Sequence, residues 1–130
     1  MKFRKMMGVT AAFLCAALAL SGCGSTDETA YRIGIVQQDE HSSLDAATQG
    51  FEDKLMELLG EENVTFDYQN AQGEQANSTT IATKFVSDGC DLILANGTTA
   101  LQSAAAATAD IPIVGTSVTD YIDGRCSKFQ

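Results

Sequence analysis

An alternation of two hydrophobic periods predicts an α/β fold: a doubly wound parallel sheet of order β-α-β-α-β-α-β, with strands arranged 2-1-3-4. Three observations carry that reading. Short runs rich in β-branched and aliphatic residues recur four times along the chain. Between them lie longer segments whose apolar residues fall three or four apart, the spacing of a helix face. Turn signals built on Gly, Asn-Gly and Asp-Gly separate the two kinds of segment. A plain helix bundle would not produce the short β-branched runs.

The elements follow in order. Tyr31 to Gln37 (YRIGIVQ) reads as the first strand. Ala46 to Leu59 carries Ala47, Phe51, Leu55, Leu58 and Leu59 on a helical stripe, and Gly60 stops it. Val64 to Asn70 (VTFDYQN) alternates as a second strand, and Gly73 supplies the following turn. Glu74 to Ser87 is helical, with Ile81, Ala82, Phe85 and Val86 on one face, and Asp88-Gly89 turns the chain. Leu92 to Ala95 (LILA) is a continuous apolar run, the mark of a central parallel strand buried on both faces. Thr98 to Thr108 is an Ala-rich helix, and Ile113 to Thr116 (IVGT) is the fourth strand. The expected core is Ile33, Ile35, Val36, Phe51, Leu55, Phe66, Phe85, Leu92, Ile93, Leu94 and Ile113.

Residues 1–22 read as an export signal outside this fold. Lys2, Arg4 and Lys5 precede an apolar run from Met6 to Leu20, too short to span about 30 Å of hydrocarbon comfortably. Leu20-Ser21-Gly22-Cys23 then matches a bacterial lipobox, in which the Cys23 thiol is alkylated and small residues admit a peptidase just before it. Residues 23–30 form a polar tether, 31–121 the globular lobe and 122–130 a divergent tail. The signal takes three of the eight basic residues and none of the 17 acidic ones, leaving five against 17, a net charge of −12. Such a surface argues against nucleic acid or anionic lipid as partners. Of the remaining cysteines, Cys90 reads as a small buried hydrophobe, although a Cys90–Cys126 disulfide is an alternative outside the cytoplasm. No Cys/His spacing suits zinc, and no metal or cofactor is expected.

In a doubly wound sheet, ligands bind at the carboxyl edge where strand order reverses, here between the first and third strands. Three polar loops meet there: Gln38–Asp45, Asn96–Thr99 and Ser117–Asp120. Asn96-Gly97-Thr98-Thr99 follows a strand and opens a helix; Thr98 or Thr99 can cap it, and the free N–H groups favour an anion such as a carboxylate. A plain strand-to-helix cap is the competing explanation. Asp39, Glu40, His41 and Asp45 carry metal-binding chemistry on paper, but Ser43 or Asp45 serves more simply as a helix cap. His41 is the single histidine, and no GxSxG elbow accompanies it, so catalytic residues are not expected.

The segments GIVQQDEHSSLDAATQGFEDKL and FDYQNAQGEQANSTTIATKFVSDGCDLILANGTTALQSAAAATADIPIVGTSVTD resemble the tryptophan/tyrosine-type substrate-binding lipoproteins of ABC importers. The resemblance covers Arg32 to Tyr121 and is most specific at Glu40–Asp45, Tyr68–Gly73, Asp110–Val114 and Val118–Asp120. It implies the first lobe of a periplasmic-binding-protein-like fold, a lipid-anchored position on the outer face of the cell membrane, and an ABC permease as partner. It also implies a small solute, most often an aromatic amino acid, held by Gln38, His41, Leu44, Asp45, Gly97, Thr98, Thr99, Thr116, Ser117, Thr119 and Asp120. After Tyr121 the segment IDGRCSKFQ departs from the family pattern, so the second lobe and its share of ligand contacts are expected to be missing. A surface lipoprotein or sensor that reuses the lobe without transport is the alternative.

Overall fold

The structure is a computed structural model that describes residues 30–119. Cys23, Asp120, Tyr121 and Cys126 lie outside the described residues.

Along the chain run β1 (Tyr31–Gln37), α1 (Ser42–Leu59), a 3-10 turn (Glu61–Asn63), β2 (Val64–Asn70), α2 (Gln75–Ser87), β3 (Leu92–Asn96), α3 (Thr98–Ala107) and β4 (Ile113–Thr116). The strands form one parallel sheet of order β2-β1-β3-β4, the arrangement expected from the sequence. Register places Ile35 between Tyr68 and Leu94, and Gln37 between Asn70 and Asn96.

Because side chains alternate along a strand, each central strand feeds two cores. Ile33, Ile35, Val64 and Leu94 face α1 and pack with its Phe51, Leu55, Met56 and Leu59. Val36, Ile93 and Ala95 face the other way, against Ala82 and Phe85 of α2 and Ala100, Leu101 and Ala104 of α3. Each such aliphatic side chain contributes roughly 1.5–3 kcal/mol when fully buried. Gly34 sits where α2 comes closest, since a Cβ there would lie 2.6 Å from the Phe85 ring.

Four expectations need correction. Phe51, Leu55, Phe66, Leu92 and Ile113 pack against the core but are only half-buried. One helix covers the α1 face where two cover the other, and β2 and β4 are edge strands, so the rim stays open. For the same reason β2 lacks a clean in–out alternation, and Tyr68 is exposed. Helix α1 begins at Ser42, a full turn before Ala46, because His41 rather than Ser43 or Asp45 caps it: its Nδ1 accepts the Ser43 backbone N–H at 3.2 Å. Neither Thr98 nor Thr99 caps α3; Gly97 holds that position without a side-chain bond. Cys90 is a buried free thiol, and burial pushes its pKa up, which suppresses the reactive thiolate.

Candidate functional site

The crevice lies at the carboxyl ends of β1 and β3. After these adjacent strands the chain leaves toward opposite faces, into α1 and α3. Backbone bonds extend the ladder past the strands and fix the loops to one another. Gln38 N–H donates to the Asn96 carbonyl at 2.8 Å, Gly97 N–H to the Thr116 carbonyl at 2.9 Å, and Gly73 N–H to the Gln38 carbonyl at 2.8 Å.

Around the start of α3 the expected residues do meet. Gln38 Oε1 accepts the Thr99 backbone N–H at 3.0 Å, supplying the capping bond that Gly97 cannot. The two side by side explain the glycine: φ is +118° at Gly97, and a Cβ there would sit 2.5 Å from the Gln38 Cβ. Thr98 Oγ1 lies 3.2 Å from Thr119 Oγ1 and accepts the Thr119 backbone N–H at 3.2 Å. Thr116 is half-buried at the end of β4, and Ser117 follows with φ of +55°, a left-handed conformation uncommon for a residue with a side chain. Such backbone strain tends to collect at ligand clamps. The result is a hydroxyl-rich rim beside a helix N-terminus, where the dipole favours negative charge.

The start of α1 is more constrained than the sequence suggested. His41 is occupied as the cap. Asp45 Oδ1 accepts Gln37 Nε2 at 2.7 Å, and the Leu44 carbonyl accepts Asn96 Nδ2 at 2.8 Å. Beneath them lies a buried polar group that sequence reasoning missed. Thr48 Oγ1 donates to Gln37 Oε1 at 2.8 Å and accepts Asn96 Nδ2 at 2.9 Å; Gln37 and Asn96 are both fully buried. A signal existed in the sequence. Both central strands end in an amide on the face that otherwise carries Ile33, Ile35 and Leu94, and Thr48 interrupts the apolar stripe of α1.

Outside this group, Gln37, Asp45, Thr48, Gln49, Glu52 and Tyr68 line a shallow cleft of about 210 Å³. Burial raises the Glu52 pKa, and neighbouring Asp53 adds to the shift. Burial also raises the Tyr68 phenol, reinforced by the negative charge of Asp45. The α1 side of the crevice is therefore negative while the α3 end favours anions, a polarity suited to a small zwitterion. Among the described residues no three His, Cys, Asp or Glu side chains gather as a metal site.

Residues 32–127 match the family described as ABC transporter substrate binding protein. A curated tyrosine-binding protein of Clostridioides difficile (strain R20291) is 37% identical across 98% of this chain, which covers 41% of that protein. Among solved structures, a ligand-free, open substrate binding protein with adhesive properties from Clostridium difficile is 44% identical with a TM-score of 0.68, over 71% of this chain and 32% of its own. A Streptococcus pneumoniae domain in complex with L-Trp is 34% identical with a TM-score of 0.67, over 71% of this chain and 32% of its own. A conserved domain protein from Vibrio cholerae gives 36% and 0.72, over 76% and 34%. The chain thus spans about two-fifths of the curated relative and about a third of each solved structure.

Proposed function

This chain belongs to the ABC transporter substrate binding protein family, and on that premise we propose that it is an extracytoplasmic solute-binding lipoprotein of an ABC importer whose described lobe receives an aromatic amino acid. The observation that carries the proposal is the meeting of Gly97, Thr98 and Thr99 at the start of α3 with Thr116, Thr119 and Gln38, beside the α1 start that Asn96 ties in through the Leu44 carbonyl. The α3 N-terminus and the threonine hydroxyls receive the carboxylate, and the negative α1 side receives the ammonium. Relatives that bind tyrosine or carry L-Trp support that ligand class. Cys23 is the proposed lipid attachment, holding the lobe at the outer face of the membrane.

Calorimetric titration of the chain with tyrosine, tryptophan and phenylalanine tests the binding step. Saturable heat with at least one of them is expected, and Thr98→Ala should weaken it by about tenfold, the loss of one hydrogen bond to a charged group. No heat from any of the three at millimolar ligand would sink the reading. A fatty-acid probe fed to expressing cells should label the wild type and not Cys23→Ala; equal labelling of both rules out the anchor.

A second reading has one specific observation behind it. The structural neighbour with adhesive properties shares 44% identity, so a non-transport surface role for the same lobe is the alternative. It predicts that surface adhesion is retained in a strain that lacks the permease.

A further inference from the structure

We propose that Gln37 and Asn96 are positioning residues that hold the β1–α1 loop and the first turn of α1 over the crevice; the functional consequence rests on the solute-binding reading above. On the α1 face the buried positions of both central strands are aliphatic until the last residue, and there both become buried amides. Buried polar groups stabilise little by themselves, so their bonds indicate what they do. Gln37 Nε2 donates to the Asp39 carbonyl at 2.9 Å and to Asp45 Oδ1 at 2.7 Å. Asn96 Nδ2 donates to the Leu44 carbonyl at 2.8 Å and to Thr48 Oγ1 at 2.9 Å. The two side chains also approach each other at 3.4 Å, with Thr48 bridging them. Apart from that long contact between the two amides, every donated bond ends on the loop or on the first two turns of α1. A leucine pair would fill the same space and make none of these links.

The remaining oxygen sharpens the point. Asn96 Oδ1 is buried and has no hydrogen-bond partner among the described residues. An unsatisfied buried polar atom is destabilising, so Asn96 fills this space at a greater cost in stability than an apolar side chain would. Replacing Asn96 with its near-isostere leucine removes that orphan and strands no other group. Thr48 keeps its bond to Gln37 Oε1, and a helix carbonyl keeps its intrahelical partner. Stability and loop geometry therefore separate in one variant.

The full 130-residue chain is compared with Asn96→Leu, and with Asn96→Ala as a second variant that adds no volume. The Asp45 N–H, bonded to the His41 carbonyl, and the Ser43 N–H, bonded to His41 Nδ1, report on the loop by hydrogen exchange. Their exchange should rise at least about tenfold in both variants while amides within β1 and β3 stay protected and Asn96→Leu melts no lower than wild type. Tyrosine or tryptophan affinity should fall by about tenfold or more in parallel. Unchanged exchange at Ser43 and Asp45 in a folded variant overturns the proposal. So does a uniform rise across the strands with a lowered melting temperature, which would make the network structural only. If the wild type binds no aromatic amino acid, the functional reading fails by itself while the exchange result still decides the positioning role.

Discussion

The two ends of the sheet are built on opposite principles. At the carboxyl end, uncharged amides and hydroxyls are buried and meet through short bonds among Gln37, Thr48 and Asn96. At the amino end the polar groups are charged and open to water. Lys84 Nζ bridges the carboxylates of Asp67 and Asp88, with Lys84 and Asp88 exposed and Asp67 half-buried, and Arg32 donates to the Asp88 carbonyl at 2.6 Å. A cleft of about 340 Å³ lies among Arg32, Thr65, Phe66, Asp67 and Asp88, yet its polar groups already have partners within the fold. Buried neutral bonds fix a geometry because water cannot replace them. Exposed ion pairs are screened and exchange freely with solvent, so they confer solubility more than shape.

The largest effect should come from the carboxyl end. Gly97→Ala puts a methyl group against Gln38 at a φ that favours glycine. We expect a loss on the order of 3 kcal/mol, or a melting temperature lower by roughly 15 °C, together with weakened ligand binding. A variant that melts like wild type would show that the strand-to-helix turn relaxes, and would remove the contrast between the two ends.

The smallest should come from the amino end. Hydrogen bonds from Gln69 and then from Lys84 hold the Asp67 carboxyl below its ordinary pKa. A depressed carboxylate pKa stabilises the fold above the unfolded value, and that contribution is lost as pH falls through the folded value. The Lys84 ammonium is shifted upward, chiefly by its bonds to Asp67 and Asp88, so its contribution persists at neutral pH and disappears only in strong alkali. Lys84→Met should therefore change the neutral melting temperature little, flatten its decline in acid, and abolish whatever part of it responds to salt. A large destabilisation at neutral pH, unaffected by 1 M salt, would show that this end too is rigidly built.

Much of this was legible in the chain because it follows from local pattern. LILA, buried on both faces, reads as a central strand, and Gly60, Gly73 and Gly89 sit at positive φ where the turns were expected. The gathering of the Gln38–Asp45, Asn96–Thr99 and Ser117–Asp120 loops at one sheet edge was expected from strand order, while the individual residues within them came from the family resemblance. The caps did not. His41 in place of Ser43 or Asp45, and Gln38 reaching across to Thr99, depend on which atom arrives first in space. Nothing local distinguishes a capping histidine from any other loop histidine, so the role of the His41 Nδ1 as a cap appears only in the folded chain.

What the sequence by itself determined is the order of elements, the strand order and the edge at which polar loops gather. Those depend on period, turn residues and the right-handed crossover, all of which act along the chain. Only the tertiary structure decided that Gln37, Thr48 and Asn96 form one buried group. Thr48 lies 11 residues from Gln37 and 48 from Asn96. A strand-ending amide looks like a turn signal until the neighbouring strand and helix close over it. Burial then turns an ordinary polar side chain into a fixed hydrogen-bond donor, because without water its only partners are those that the fold has brought within reach.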